Sequence, residues 1–179
     1  MSKPHLETAF NHWKALLNVE DVVIDATCGK GQDTEKLSLL VPLGKVYSLD
    51  IQEQALTQAK ARVTSANVEF LLQSHITLPS CIPKLIVYNL GYLPGGDKTI
   101  TTQTSTTLIS LKKALSLLAC SGAISLISYS GHPEGALEEK ELLCFIKSLN
   151  PSLWKVELTS WKTSLRPTHP LFIWIQRVM

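Results

Sequence analysis

Val22 to Thr34 reads VVIDATCGKGQDT. Its first part is a β-branched run too short for a helix, ending at Asp25, and two glycines, Gly29 and Gly31, break the pattern just beyond. Glycines placed past a buried strand let the backbone turn sharply and come close to a ligand. The third glycine of a dinucleotide fingerprint would fall at Thr34 and is missing; in such sites it gives close helix–strand packing. Asp25 would also set a negative charge against a pyrophosphate. A cofactor with a cationic, amino-acid-like end suits this loop better, with Asp25 attracting its ammonium directly or through water.

Outward from this turn, strands and helices alternate. Upstream, Leu6, Ala9, Phe10, Trp13 and Leu16-Leu17 form one apolar stripe, which predicts a helix over 5–17. Downstream, the pattern predicts a helix over 34–40, stopped by Pro42 and Gly44, then a strand over 45–50. A helix through Ala55, Leu56, Ala59 and Val63 follows, then strands over 68–72 and 84–89. Next come a glycine-proline loop, a helix over 104–118 capped by Gly122, a strand over 123–129 and a helix over 134–149. The last two segments, 154–161 and 171–178, are strand-like with no helix between them, so they should pair antiparallel. This order predicts a single-domain α/β fold over 1–179, Rossmann-like, with a mostly parallel seven-stranded sheet closed by an antiparallel hairpin. A double Rossmann fold would instead want a sixth parallel strand and its helix.

Composition narrows the class. A length of 179 residues suits one domain, and 45 % hydrophobic residues argue against widespread disorder. No apolar run approaches the roughly 20 residues of a membrane-spanning helix, and the N-terminus lacks a secretory pattern, so a cytoplasmic location is the default expectation. The four cysteines form no CxxC pair and read as reduced thiols, at least two of them buried. No histidine stands at metal-ligand spacing with a cysteine or another histidine, so no metal is expected. A net charge of +2 permits an acidic partner without requiring one.

Asp50 ends the second strand 21 positions after Gly29, the offset at which a carboxylate grips adenosine ribose hydroxyls. Ile51 and Gln52 would then lie beside adenine, with Ser74 and His75 near the same ring after the third strand. That pattern fits nicotinamide and sulfonium cofactors equally. The fourth strand runs into YNLGYLPGGDK, Tyr88 to Lys98, at the edge where an open parallel sheet binds ligands. Methylating a nitrogen needs the acceptor held in line and desolvated, and no protein nucleophile. Asn89 can accept an N–H and aim the lone pair. Tyr92 can stack on a base or hydrogen-bond its edge, Pro94 sets the loop's path, and Gly95 and Gly96 allow close approach. Asp97 and Lys98 suit either a surface ion pair or a proton acceptor and a phosphate contact. His132, in SYSGHP after the fifth strand, is a candidate for the cleft's other wall. His132, Asp97, Tyr92 and water are all open as the proton acceptor. Trp161, Lys162, Arg166 and His169 could contact RNA by stacking and phosphate pairing.

Together, DATCGKGQDT, YNLGYLPGGDK and SYSGHPEG resemble a small bacterial family of putative rRNA methylases typified by the YtqB protein. The resemblance covers essentially the whole chain. It implies an S-adenosylmethionine-dependent methyltransferase that converts the wobble aminomethyl-2-thiouridine of transfer RNA to its methylaminomethyl form, acting as a homodimer on the anticodon arm. It also implies a cofactor site of Asp25, Thr27, Cys28, Gly29, Gly31, Asp33, Thr34, Asp50, Ile51, Gln52, Ser74, His75 and Asn89. The catalytic set it implies is Asn89, Tyr92, Asp97 and His132; Gly91, Tyr92, Pro94, Gly95, Gly96, Lys98 and His132 would bind substrate. Ser130 departs from the family's PGH-like triplet, and 165–170 lack the asparagine expected before the final proline. Competing readings are methylation of ribosomal RNA or a small amine, a NAD-dependent reductase, and a non-catalytic RNA-binding protein.

Overall fold

The computed structural model describes residues 3–93, 95–96, 99–131, 133–161 and 169–178. Seven strands form one sheet: β1 (Val22–Asp25), β2 (Lys45–Asp50), β3 (Val68–Leu72), β4 (Leu85–Asn89), β5 (Ala123–Tyr129), β6 (Trp154–Ser160) and β7 (Pro170–Arg177). Their order is β3-β2-β1-β4-β5-β7-β6. All pairings are parallel except β5 with β7 and β6 with β7. The expected sheet and its closing hairpin are both present, and strand order reverses between β1 and β4. A ligand cleft belongs at that reversal, beyond the strands' carboxyl ends.

The helices are α1 (Pro4–Leu16), α2 (Gln32–Leu40), α3 (Glu53–Arg62), α4 (Thr104–Leu117) and α5 (Pro133–Lys147). They cover both faces of the sheet, which is why LIVY of β4 can be apolar and buried throughout. On one face Ala9 and Trp13 of α1 and Leu37 of α2 pack against Val23, Leu85, Val87, Ile127 and Phe172. On the other, Leu111 and Ala114 of α4 and Leu142 and Ile146 of α5 pack against Ile24, Ile86, Tyr88, Ile124 and Leu126. The buried Trp13 indole donates to Ser125 Oγ at 2.9 Å, so α1 is docked by a satisfied polar contact as well as by burial. Among the described residues no helix is long and apolar enough to cross a membrane.

Two expectations need correction. The left-handed residue after α4 is Ser121 (φ 56°), not Gly122. Gly122 is required for space, since a Cβ there would lie 2.9 Å from the Ala119 carbonyl oxygen and 3.0 Å from that of Lys84. Of the thiols only Cys28 is buried; Cys81 is half-buried, and Cys120 and Cys144 are exposed. The apolar stripe of α1 packs inside the chain, and β7 is flanked on both sides, leaving β6 at the sheet edge. Remaining differences are helix ends shifted by one or two residues, as at α1, where Leu17 is already extended.

Candidate active site

The turn after β1 is built from backbone geometry and buried oxygens. Gly29 and Gly31 both have positive φ (52° and 77°). At Gly31, a Cβ would sit 2.8 Å from Ala59 Cβ on α3, so this glycine lets α2 and α3 close together. The packing role expected of a third glycine thus falls to Gly31, which frees position 34 for a hydrogen-bonding side chain. Thr34 Oγ1 donates to Asp25 Oδ2 at 2.6 Å and lies 2.7 Å from Ser48 Oγ, while the Thr27 amide donates to Asp25 Oδ1 at 3.2 Å.

Asp25 is therefore 1 % exposed and sealed inside the turn. Burial, then the nearby charge of Asp33, pushes its carboxyl up to about 7. Its bonds to Thr34 and the Thr27 amide make Asp25 a brace of the loop. Thr34 is likewise fully buried. The Cys28 side chain packs with Leu56 and Ala59, and burial pushes its thiol up to about 12, so Cys28 serves the loop through packing and backbone.

Asp50 sits at the end of β2 and clamps the same turn. Its Oδ2 accepts from the Gly29 amide at 2.8 Å and its Oδ1 from the Gln52 amide at 2.9 Å. Each carboxylate oxygen has lone-pair capacity beyond one such bond, so both can still accept ribose hydroxyls. Ile51, next along, is 58 % exposed at the sheet edge, an apolar surface suited to covering by a base. After β3, Ser74 Oγ accepts from the Ile76 amide, so its hydroxyl first serves a local turn. His75 is buried against the edge of the Tyr88 ring, and its Nδ1 has no hydrogen-bond partner among the described residues. Burial lowers its pKa to about 4, which keeps the ring neutral. An orphaned buried nitrogen beyond β3, an uncovered Ile51 and spare acceptor capacity on Asp50 fit the adenosine end of the expected cofactor.

The acceptor side joins this turn directly. The Asn89 amide donates to Thr27 Oγ1 at 2.7 Å, and Asn89 Nδ2 donates to Asp33 Oδ2 at 3.3 Å. A Cβ on Gly29 would meet Leu93 Cδ1 at 3.5 Å, and one on Gly95 would meet Lys30 Nζ at 3.7 Å. The glycine turn and the segment after β4 thus share one cleft. The Gly91–Thr102 stretch closes on itself. The Gly91 amide donates to Thr102 Oγ1 at 2.9 Å, the Thr102 amide to the Gly91 carbonyl at 3.0 Å, and Tyr92 bridges Thr101. Thr102 and Thr107 in turn donate to Glu138 of α5 at 3.0 and 2.6 Å. Tyr92 is 39 % exposed. Gly96 tucks against Leu93.

Of the remaining expected residues, Pro94, Asp97, Lys98 and His132 lie outside the described residues, as do Lys162 and Arg166. Trp161 packs toward His5 and the α1 face, and half-buried His169 lines a cavity with Ser130, Glu139, Leu143, Leu158 and Leu171. Among the described residues no cluster of potential metal ligands occurs. Sequence reasoning missed the Asp33–Asn89 contact, the Glu138 anchor, and a part-buried pair of His5 and Tyr129. Only Tyr129 carried a signal: it lies two positions beyond Ile127, the β5 residue in register with Asn89.

Comparison with known proteins places this geometry. The Putative rRNA methylase family matches residues 46–176. The structure superposes on a putative rRNA-methylase from Clostridium thermocellum with a TM-score of 0.93, 31 % identity, and coverage of 99 % of this chain and 100 % of that one. A putative methyltransferase from Streptococcus mutans in complex with SAH gives a TM-score of 0.88 at 30 % identity, again over 99 % and 100 % of the two chains. The chain is also 36 % identical over 170 residues to the chloroplastic tRNA (mnm(5)s(2)U34)-methyltransferase of Arabidopsis thaliana. That match takes in 85 % of this chain but only 62 % of the plant protein's length.

Proposed function

Because the chain belongs to the Putative rRNA methylase family and has the sheet of an S-adenosylmethionine-dependent methyltransferase, we propose that it methylates the amino nitrogen of a wobble aminomethyl-2-thiouridine in transfer RNA. The 2.7 Å bond from the Asn89 amide to Thr27 Oγ1 carries this reading, because it ties the acceptor-side strand end to the glycine turn. The plant relative's wobble-uridine activity directs the choice of substrate.

When bound, S-adenosylmethionine supplies a methyl on a sulfonium sulfur, which leaves with the electron pair of the broken carbon–sulfur bond. Asp50 would hold the ribose, Ile51 the adenine, and the Gly29 backbone the span between them. Asp33 engages the Asn89 amide nitrogen and so leaves Asn89 Oδ1 as the group that accepts an N–H of the target amine. Tyr92 offers a ring on which the uracil can stack. An anticodon nucleotide is already unpaired, so placing it in such a cleft costs less than extracting a base from a duplex.

Nucleoside analysis of transfer RNA from cells lacking the gene tests the proposal. Accumulated aminomethyl-2-thiouridine supports it; a normal profile refutes it. Ribosomal RNA from the same cells, showing a lost methyl group instead, would select the other RNA substrate.

A further inference from the structure

Tyr129 ends β5 on the same side of the sheet as Asn89. Strand side chains alternate, Ile127 is in register with Asn89, and Ile127 and Tyr129 both pack into the α1–α2 side of the core. A Cβ on Gly91 would lie 4.0 Å from Tyr129 Cδ2, so the ring stands beside the segment leaving β4. His5, in the first turn of α1, closes over it from above. Its Nε2 is 3.2 Å from Tyr129 Oη, the two rings meet edge to face at 5.7 Å, and Trp161 flanks the histidine at 5.9 Å. Burial and the charge of Lys3 lower the His5 pKa despite the opposing charge of Asp33, so the imidazole is neutral and Nε2 can accept. Burial, then Asp33, pushes the Tyr129 hydroxyl up to about 12, so it keeps its proton.

In the His5 tautomer protonated at Nδ1, Nε2 accepts the Tyr129 proton and leaves Tyr129 Oη with acceptor lone pairs only. Asn89 is set in the same way, its amide nitrogen engaged by Asp33 and its Oδ1 without a donor among the described residues. Two acceptors on one face of the sheet edge match a neutral primary amine. With both N–H bonds received, its single lone pair is left to meet the methyl carbon. A secondary amine fills only one acceptor and leaves the other, part-buried, without a donor. A hydroxyl does the same. Resting on the function proposed above, we propose that Asn89 and Tyr129 form a two-acceptor clamp that selects a primary amine and halts the reaction after one methyl, with His5 positioning the Tyr129 hydroxyl.

The test uses the full chain with undermodified transfer RNA from cells lacking the gene, and reads kcat, KM, S-adenosylhomocysteine affinity, thermal midpoint and the ratio of mono- to dimethylated nucleoside. Tyr129→Phe keeps the ring and its packing. It should lower kcat about tenfold, the worth of roughly one hydrogen bond, and raise the dimethylated share, with S-adenosylhomocysteine affinity within about twofold. His5→Gln, whose amide oxygen can accept from Tyr129, should retain most of the rate. His5→Leu should fall to the level of Tyr129→Phe, and a folded protein is verified by its unchanged affinity for S-adenosylhomocysteine. Wild-type rate and product ratio in Tyr129→Phe, or equal losses in His5→Gln and His5→Leu, would overturn the clamp while leaving the parent function standing. A wild-type enzyme that methylates no amine would overturn both.

Discussion

The turn at residues 25–34 and the segment at 89–102 meet at one sheet edge, yet they are held in different ways. In the turn, glycine φ angles, a helix crossing at Ala59 and a buried Asp25–Thr34–Ser48 set leave the backbone one path. In the acceptor segment, the backbone returns on itself through threonines anchored on Glu138, and side chains such as Asn89 and Tyr92 point their chemistry outward from it. A cofactor is the same at every turnover, so rigid backbone serves it. An RNA base must enter and leave, which suits a segment held by a few side-chain bonds.

Glycine substitutions should break the comparison most sharply. Gly31→Ala places a Cβ 2.8 Å from Ala59 at φ 77°, with backbone behind it, and should cost about 2–4 kcal/mol of stability in urea denaturation. Gly95→Ala, at φ 78° but facing the flexible Lys30 Nζ among the described residues, should cost about 1 kcal/mol. Equal losses would mean that the two segments are equally confined. Next in size, Asn89→Ala should lower kcat on the order of 100-fold, with affinity for S-adenosylhomocysteine within a few-fold by calorimetry. Unchanged turnover would remove Asn89 from the chemistry.

A third effect concerns pH. Because the folded pKa of Asp25 is raised to about 7 from 3.8, the folded state holds the proton more tightly than the unfolded chain. Stability from this group is therefore fully present below 3.8 and lost as pH rises toward about 7. His75, lowered from 6.5 to about 4, works in the opposite sense over that lower range, so the readout is the difference between variant and wild type. Asp25→Asn keeps an acceptor for Thr34 and should gain stability relative to wild type as pH rises from 5 to about 7.5. A constant difference would contradict the burial of a protonated Asp25. Smallest, Glu138→Gln leaves one threonine contact poorly matched and should raise the transfer-RNA KM several-fold, at about 1 kcal/mol, with cofactor affinity unchanged.

These differences also explain what the sequence makes legible. The sheet follows from period and spacing, since β4 and β5 are buried nearly throughout and most of the parallel crossovers carry a helix, the β3-to-β4 connection being the exception. Gly29 and Asp50 announce the cofactor turn because backbone geometry demands those residue types at those places. Sequence alone does not reveal that Asp25 is bonded to Thr34 and Thr27, since an aspartate at a strand end looks the same whether it faces solvent or is buried behind Thr34. His5 and Tyr129 are 124 positions apart, and nothing local reveals that α1 folds over the end of β5. Long-range side-chain pairs of this kind are set by packing, which no periodicity records.

Hydrogen exchange of the backbone amides, with and without S-adenosylhomocysteine, tests most directly whether the two segments build one site. The amides of residues 27–31 and of 89–93 should slow together on addition of the ligand, since Thr27 bonds Asn89 and Leu93 covers Gly29. Slowing confined to one segment, or none in a folded protein, would contradict a shared cleft.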